Sequence, residues 1–327
     1  MTTEAKETVM SRHLVVGAGP VGRAVARHLI ARGDRAVLAS RSGAGLPVAG
    51  ADRLAVDATS PDALAAAAEG ADVVYNCLNP SGYHLWAKEW PPLHAALTAA
   101  AERSGAVLAT VGNLYPLGRP AGVMTESTPE RPREWKGELR ASMTADVMAA
   151  HRAGRLRAVE VRASDFIGAG VGQNGHSTRN LERIRAGRSA QVVGATDVPH
   201  AWTFIDDVAA AVVAAASDED LLGRIHLVPT NPARTQREVA TDLGSAVGRP
   251  HVRVTSTPDW LLAVVGWFSP AMREVRSLDF QFTAPYEMDT TVSEKALGLA
   301  PTPWAEIIRR TVLPEASEQP AGPDARV

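Results

Sequence analysis

Leu14-Val15-Val16-Gly17-Ala18-Gly19-Pro20-Val21-Gly22 runs from an apolar strand through three spaced glycines into a helix. The Gly-x-Gly-x-x-Gly spacing suits a dinucleotide-binding turn: Gly17 permits the tight bend, Gly19 lets the backbone approach a pyrophosphate, and Gly22 allows close helix–strand packing. The helix that opens at Pro20 and Val21 offers free N–H groups and a partial positive charge to phosphates. A purely structural turn could use the same glycines, but the position at the head of a βαβ run favours a nucleotide.

Outward from this turn, short apolar runs alternate with helical patterns. Strands are expected at His13–Val16, Ala36–Ala39, Arg53–Val56, Val73–Cys77, Val107–Val111 and Ala158–Arg162. Helices are expected near Val21–Ala31, Pro61–Glu69, Leu93–Arg103 and Lys136–Arg152. The alternation predicts an α/β fold: a Rossmann-type, doubly wound parallel sheet with a smaller C-terminal substrate lobe. After Gly168 the βαβ rhythm fades, although Leu227–Val228 could return a strand to the sheet, and Arg234–Val247 and Trp304–Val312 read as helices. The expected division is residues 1–170 for the nucleotide domain with return segments near 201–230, then 171–200 and 231–314 for the lobe. Residues 315–327 read as a disordered tail, being polar and rich in Pro and Ala.

Composition narrows the function classes. A chain of 327 residues, 45% hydrophobic and 21% charged, suits a globular protein large enough for one extended core. A net charge of -2 provides no basic field for nucleic acid or an anionic membrane. Cys77 is the single cysteine, which excludes an internal disulfide framework and a Cys-rich zinc site, and the nine histidines show no metal spacing. Met1–Met10 lacks the apolar core of a signal peptide, and Trp260–Phe268 is too short to span a bilayer. That segment reads as a buried or groove-facing helix, with a peripheral membrane contact as its alternative. A cytoplasmic protein is expected.

The strand ends select the nucleotide. An NAD site places Asp or Glu after the second strand for the ribose 2′-hydroxyl. Here Ala39-Ser40-Arg41-Ser42 has no carboxylate, and Arg41 suits a 2′-phosphate. NADP(H) is the expected cofactor, with Arg41 as a solvated loop residue the alternative. Asp57 after the third strand is a candidate adenine contact, or else part of a helix cap. Leu78 and Ser164, beyond the fourth and sixth strands, join Gly17, Gly19, Pro20, Val21, Gly22, Ser40 and Arg41 as candidate cofactor contacts.

Several segments carry a family resemblance over nearly the whole chain: the glycine turn, Val56-Asp57, Asn113-Leu114-Tyr115, Val161–Gly168, Trp202–Ala209, the Thr235–Pro250 stretch and Ala296–Pro303. The chain resembles extended or atypical short-chain dehydrogenase/reductase (SDR) proteins of the NAD(P)-dependent epimerase/dehydratase type. The resemblance implies a Rossmann domain, a C-terminal substrate lobe, and a Tyr-x-x-x-Lys pair on the helix after the fifth strand. This sequence departs there, because the matching positions hold Lys136 and Arg140, and Thr110, Val111 and Gly112 occupy the stretch where an assisting Ser/Thr is usual.

Helical periodicity places Lys136 and Arg140 on the face of Leu139, Met143 and Val147, which reads as buried. Two cations at i,i+4 repel each other, and near a helix N-terminus they also oppose the dipole. They therefore require a carboxylate, a phosphate or an anionic substrate, unless long stems carry the charges to water. The neighbouring cation disfavours the charged form of Lys136, which makes it a candidate acid/base group, with Arg140 as an anchor for the cofactor ribose or an anionic substrate group. Asn113 and Tyr115 are the other candidate catalytic groups, at the carboxyl edge where ligands of open α/β sheets bind. His176 in the glycine-rich loop is a weaker candidate, and His200 and Trp202 read as structural. Asp206 and Asp207 read as a cap and a first-turn acid, and Trp86, Trp90, Trp135 and Trp260 as loop or lobe residues able to line an apolar or aromatic pocket.

The combined expectation is an NADP(H)-dependent oxidoreductase acting on a small organic carbonyl or hydroxyl compound, apolar or aromatic in character, with Lys136, Tyr115 or an ordered water handling the proton. Rivals are an isomerase, epimerase, dehydratase or cyclase of the same fold, and a non-catalytic NADP(H) sensor. The expected partners are the small-molecule substrate and a second copy of the chain in a homodimer, with no nucleic acid, membrane or metal.

Overall fold

The computed structural model describes residues 11–80, 82–119, 121–258, 260, 267, 274 and 277–313. The first six strands are β1 (Arg12–Val16), β2 (Arg35–Ser40), β3 (Asp52–Ala55), β4 (Val73–Asn76), β5 (Val107–Asn113) and β6 (Arg157–Ala163). Four short strands then leave the main sheet: β7 (Asp165–Ile167), β8 (Ala190–Val192), β9 (Pro199–His200) and β10 (Trp202–Phe204). β11 (Ile225–Leu227) returns to it, giving a seven-stranded sheet in the order β11-β6-β5-β4-β1-β2-β3. Every pairing in this sheet is parallel. The order reverses between β1 and β4, the switch point at which ligands of such sheets bind. β12 (Arg234–Thr235) and β13 (Val254–Ser256) complete two-stranded ribbons with β9 and β8, while β10 pairs with β7.

Because β1, β4 and β5 are covered on both faces, their residues are apolar in succession rather than alternating. On one face pack α1 (Pro20–Ala31) and, later in the chain, a helix at Ile205–Ala216. On the other pack α2 (Pro61–Ala68), α3 (Trp86–Ser104) and α4 (Trp135–Arg152). Further α-helices among the described residues are α5 (Leu181–Arg185), α6 (the Ile205–Ala216 helix), α7 (Gln236–Ala246), α8 (Thr291–Leu297) and α9 (Trp304–Val312). Local chemistry fixes several starts: Ser60 accepts a hydrogen bond from Ala63 N to cap α2, and Thr235 with Glu238 forms a reciprocal capping box on α7.

α3 begins seven residues before the expected Leu93 and carries Pro91 and Pro92 inside the helix, where proline ordinarily interrupts one. Trp86 and Trp90 consequently belong to a helix and are buried, which corrects their assignment to loops or lobe elements. Asp206 and Asp207 both lie in the first turn of α6, whose N-cap is Phe204, so neither is the cap. Asp207 is buried and accepts hydrogen bonds from Thr302 N at 3.0 Å and Thr302 Oγ1 at 2.6 Å, while Asp206 pairs with Arg310 of α9. Most of Trp260–Phe268 lies outside the described residues, as do Met1–Met10 and the 315–327 tail. Trp260 and Trp267 are helical, as expected, and exposed, which corrects the buried reading for these two residues and leaves the groove-facing one. Among the described residues no helix is long and apolar enough to cross a membrane.

Candidate active site

The glycine turn sits at the carboxyl edge of β1, with Gly17 N donating to Ala39 O at 2.9 Å. Gly17 has φ +113°, and a Cβ on Gly22 would stand 1.8 Å from Gly17 O, so the turn and α1 meet at a distance only glycine allows. A Cβ on Gly19 would meet nothing within 4 Å, which leaves the backbone open to a ligand on that side. The first turn of α1 carries Pro20 and no acidic residue, and no side chain caps it. Unclaimed N–H groups, an open approach and the absence of a competing carboxylate fit a pyrophosphate.

The other candidate cofactor residues share this edge because their strands are parallel. Ser40 ends β2 and donates to Ala44 O at 3.3 Å, and Arg41 is exposed beyond it. Asp57 accepts from Thr59 N at 2.9 Å and Thr59 Oγ1 at 2.7 Å. These two bonds, with a smaller contribution from Arg41, hold its carboxyl below its ordinary value. Leu78 N donates to Asn76 Oδ1. Ser164 is buried, with its N–H on Thr203 Oγ1 and its hydroxyl 3.4 Å from His200 Nε2.

Beside this edge, β5 delivers Asn113 and a short turn delivers Tyr115. Asn113 Oδ1 accepts from Tyr115 N at 3.1 Å, and the hydroxyls of Tyr115 and Tyr83 lie 2.8 Å apart. Burial raises Tyr115 well above its ordinary value and pushes Tyr83 up to about 12, so both remain phenols at neutral pH. Trp86 stacks on Tyr115 with ring centres 6.0 Å apart, and Trp90 meets Trp86 edge-on at 5.9 Å. A Cβ at Gly137 would come 2.6 Å from Tyr115 O, so this glycine lets the start of α4 press directly against the tyrosine turn.

That contact brings Lys136 to Tyr83, whose ring centre is 5.8 Å from Lys136 Nζ. Lys136 is fully buried and Arg140 is 5% exposed, which removes the alternative of charges carried to water. The charged groups in contact with Lys136 are carboxylates: Glu134 at 2.8 Å and Glu274 at 2.6 Å, with Ser277 Oγ also at 2.6 Å. Arg140 turns elsewhere, donating to Val111 O at 3.2 Å and covering the ring of Trp90 at 4.7 Å. Burial lowers Arg140 from its ordinary value, and Glu160 opposes that shift. Glu160 itself accepts from Thr144 at 2.7 Å and Arg162 at 2.8 Å. Arg140, Glu160, Thr144, Asn76 and Thr110 border a cavity of about 20 Å³, room for one water.

A second polar cluster follows β6. His200 is fully buried and flanked by Tyr286 at 5.5 Å and Phe282 at 4.3 Å, and His176 stacks on the same Phe282 at 4.0 Å. His200 Nε2 lies 2.9 Å from Asp165 Oδ2, and Nδ1 lies 3.1 Å from Gln281 O. No motif or spacing in the sequence points to Tyr83 or Glu274 as members of the site, and Asp165 is marked only by its place in the Val161–Gly168 segment. His176, the weaker candidate, has its Nε2 buried without a hydrogen-bond partner among the described residues.

Burial holds His176 at about 3, against 6.5 ordinarily. The unfolded chain therefore takes up a proton that the folded chain refuses, and stability falls as pH drops from 6.5 towards 3. His13, His28 and His94 are lowered with the same sign, and Asp165 adds its own loss below 3.8. Urea midpoints measured between pH 6.5 and 3.8 should drop less steeply in His176→Phe than in the parent. Identical slopes would place the acid lability on the other histidines.

Comparison with known proteins adds the family. The sequence profile of the NAD dependent epimerase/dehydratase family matches residues 13–226. No curated protein matches the chain by sequence. Among solved structures, the UDP-glucose 4-epimerase of Thermotoga maritima, determined with UDP-glucose, has 15% identity and a TM-score of 0.74, covering 92% of this chain and 97% of its own. The Thermus thermophilus UDP-glucose 4-epimerase, in complex with NAD, has 18% identity and a TM-score of 0.72, covering 92% and 97%. A double mutant of DesIV, the dTDP-glucose 4,6-dehydratase of Streptomyces venezuelae, with NAD and DAU bound, has 18% identity and a TM-score of 0.73, covering 92% and 95%.

Proposed function

The chain belongs to the NAD dependent epimerase/dehydratase family, and from that premise we propose that it is an NADP(H)-dependent oxidoreductase acting on a small organic carbonyl or hydroxyl compound. The observation that carries this reading is the placement of an open glycine turn and a half-buried pair of hydrogen-bonded tyrosine hydroxyls at one edge of one parallel sheet. Gly17, Gly19, Pro20, Val21 and Gly22 would hold the pyrophosphate, Ser40 and Arg41 the ribose phosphate, and Asp57, Leu78 and Ser164 would border the remainder. When bound, the nicotinamide supplies the hydride chemistry.

The chain's own residues supply the rest. Tyr115 holds the proton, because burial keeps its phenol neutral, and Tyr83 fixes the direction of that hydroxyl. Asn113 fixes the tyrosine backbone, and Trp86 and Trp90 exclude water from its ring. Arg140 stands where the resemblance implies a ribose-binding lysine and stays charged at any working pH. Lys136 stands at the position of the usual acid/base tyrosine, but its contacts with Glu134 and Glu274 suit a charge anchor better than a proton donor. Family membership favours a second reading, an epimerase or dehydratase that keeps the nucleotide throughout. Nicotinamide absorbance separates the two: net consumption of NADPH with a carbonyl panel supports the oxidoreductase, whereas turnover without net consumption supports the second reading.

Cofactor choice is separately testable. Arg41→Ala should weaken NADPH binding by about 1.5–3 kcal/mol, the worth of a hydrogen bond to a charged group, with little effect on NADH. Titrating both cofactors into parent and variant checks this, and equal affinities in the parent would overturn the assignment to NADP(H).

A further inference from the structure

We propose that Lys136 is the anchor for a carboxylate on the substrate, and that Glu274 occupies the place that carboxylate takes. The inference rests on the reading above that this sheet edge is the substrate site, and it names the substrate class: a small oxo- or hydroxy-acid with an apolar or aromatic body.

A lysine side chain has three N–H donors and no acceptor. Lys136 Nζ has three acceptors in reach: Glu134 Oε2 at 2.8 Å, Glu274 Oε2 at 2.6 Å and Ser277 Oγ at 2.6 Å. Its donor capacity is filled, so a ligand can reach it only by displacing one of these three groups.

The two carboxylates differ in what else they do. Glu134 is the N-cap of α4, accepting from Gly137 N at 3.0 Å and Lys136 N at 3.1 Å, and removing it would uncap the helix. The Glu274 carboxylate has Lys136 as its one partner among the described residues, and its side chain is 20% exposed. Glu274 is therefore the exchangeable group. A neutral oxygen replaces it poorly, since it forfeits the Coulomb attraction between ammonium and carboxylate. A carboxylate replaces it like for like.

The surroundings fit such a ligand. The ring of Trp135 lies 5.1 Å from Nζ and that of Tyr83 5.8 Å, and Trp86 lies against Tyr83 at 5.2 Å. Trp86 is 2% exposed, and its indole N–H has no acceptor among the described residues. A buried donor of this kind calls for an acceptor-rich neighbour. Tyr83 touches both ends of the arrangement, its ring facing Lys136 and its hydroxyl 2.8 Å from Tyr115. An acid group on Lys136 thus orients the rest of a small ligand along the same aromatic wall that holds the proton donor.

Benzoate and benzamide are the probes, one charged and one neutral with the same ring, titrated by tryptophan fluorescence against the full chain. Glu274→Gln keeps an oxygen that can accept from Lys136 but removes the competing charge. It should bind benzoate about tenfold or more tightly than the parent does, the worth of one charge-assisted contact, with benzamide unchanged. Lys136→Met combined with Glu274→Gln, which leaves no unpaired charge from this pair, should lose the preference for benzoate; its melting temperature reports that it folds. Equal benzoate affinity in parent and Glu274→Gln, or a benzoate preference that survives in the double variant, overturns the proposal. NADPH affinity measured in the same samples keeps the two readings apart, since a parent that ignores NADPH refutes the oxidoreductase whatever benzoate does.

Discussion

Tyr115→Phe should lower turnover by about 10²–10⁴-fold, the usual effect of losing a positioned proton-transfer group. NADPH affinity should not change, because the hydroxyl points to Tyr83 rather than to the glycine turn. The ring, its stacking on Trp86 and the Asn113 bond to its backbone all survive the substitution, so a folding defect is not expected. Tyr83→Phe removes only the partner of that hydroxyl. It should cost the 0.5–1.5 kcal/mol of one neutral hydrogen bond, about 2- to 12-fold in rate. Steady-state rates with NADPH across small oxo-acids and aldehydes would show this order. Full activity in Tyr115→Phe would transfer the proton to Lys136 or to water.

Gly22→Ala should reduce cofactor affinity about a hundredfold. The new methyl would lie 1.8 Å from Gly17 O and 3.5 Å from Cys77 Cβ, and the nearer neighbour is backbone that cannot rotate away. Overpacking of this kind costs about 3 kcal/mol at the upper end of its usual range, and 1.4 kcal/mol is a factor of ten in affinity. The strain falls on the turn whose open side faces the ligand, so binding should suffer more than the melting temperature. Gly19→Ala is the useful contrast, since its methyl meets no protein atom within 4 Å. Any loss of NADPH affinity there reports the ligand's own approach to the backbone. Unchanged affinity in both variants would remove the nucleotide from this turn.

What is legible in the sequence follows the range of each interaction. The glycine turn, the parallel sheet and the i,i+4 face of Lys136 and Arg140 are encoded within a few residues, and the structure has each in place. The start of α3 is hidden because Pro91 and Pro92 look like a helix stop, although the helix forms around them and buries Trp86 and Trp90. The partners of Lys136 are half visible. Glu134 is two residues away, and the need for a compensating anion is clear from the two cations, but Glu274 is 138 positions distant. The bond between His200 and Gln281 spans 81 positions, and Tyr83 and Tyr115 span 32. No periodicity reports such pairings, which exist only because β5, α4 and the C-terminal segments converge on one edge.

The bond between Asp207 and Thr302 bears on how the chain matures as it is made. Asp207 enters the first turn of a helix packed against the main sheet, yet both its side-chain hydrogen bonds come from a residue 95 positions later. Burial raises its pKa and Thr302 counters that shift, so a nascent chain still lacking Thr302 would bury the carboxyl without its partner. On the ribosome, the first turn of α6 lacks these two hydrogen bonds until Thr302 has emerged. A stalled or truncated product ending before Thr302 would bury the Asp207 carboxyl without these donors, and should be cut by proteases more readily than the 327-residue chain.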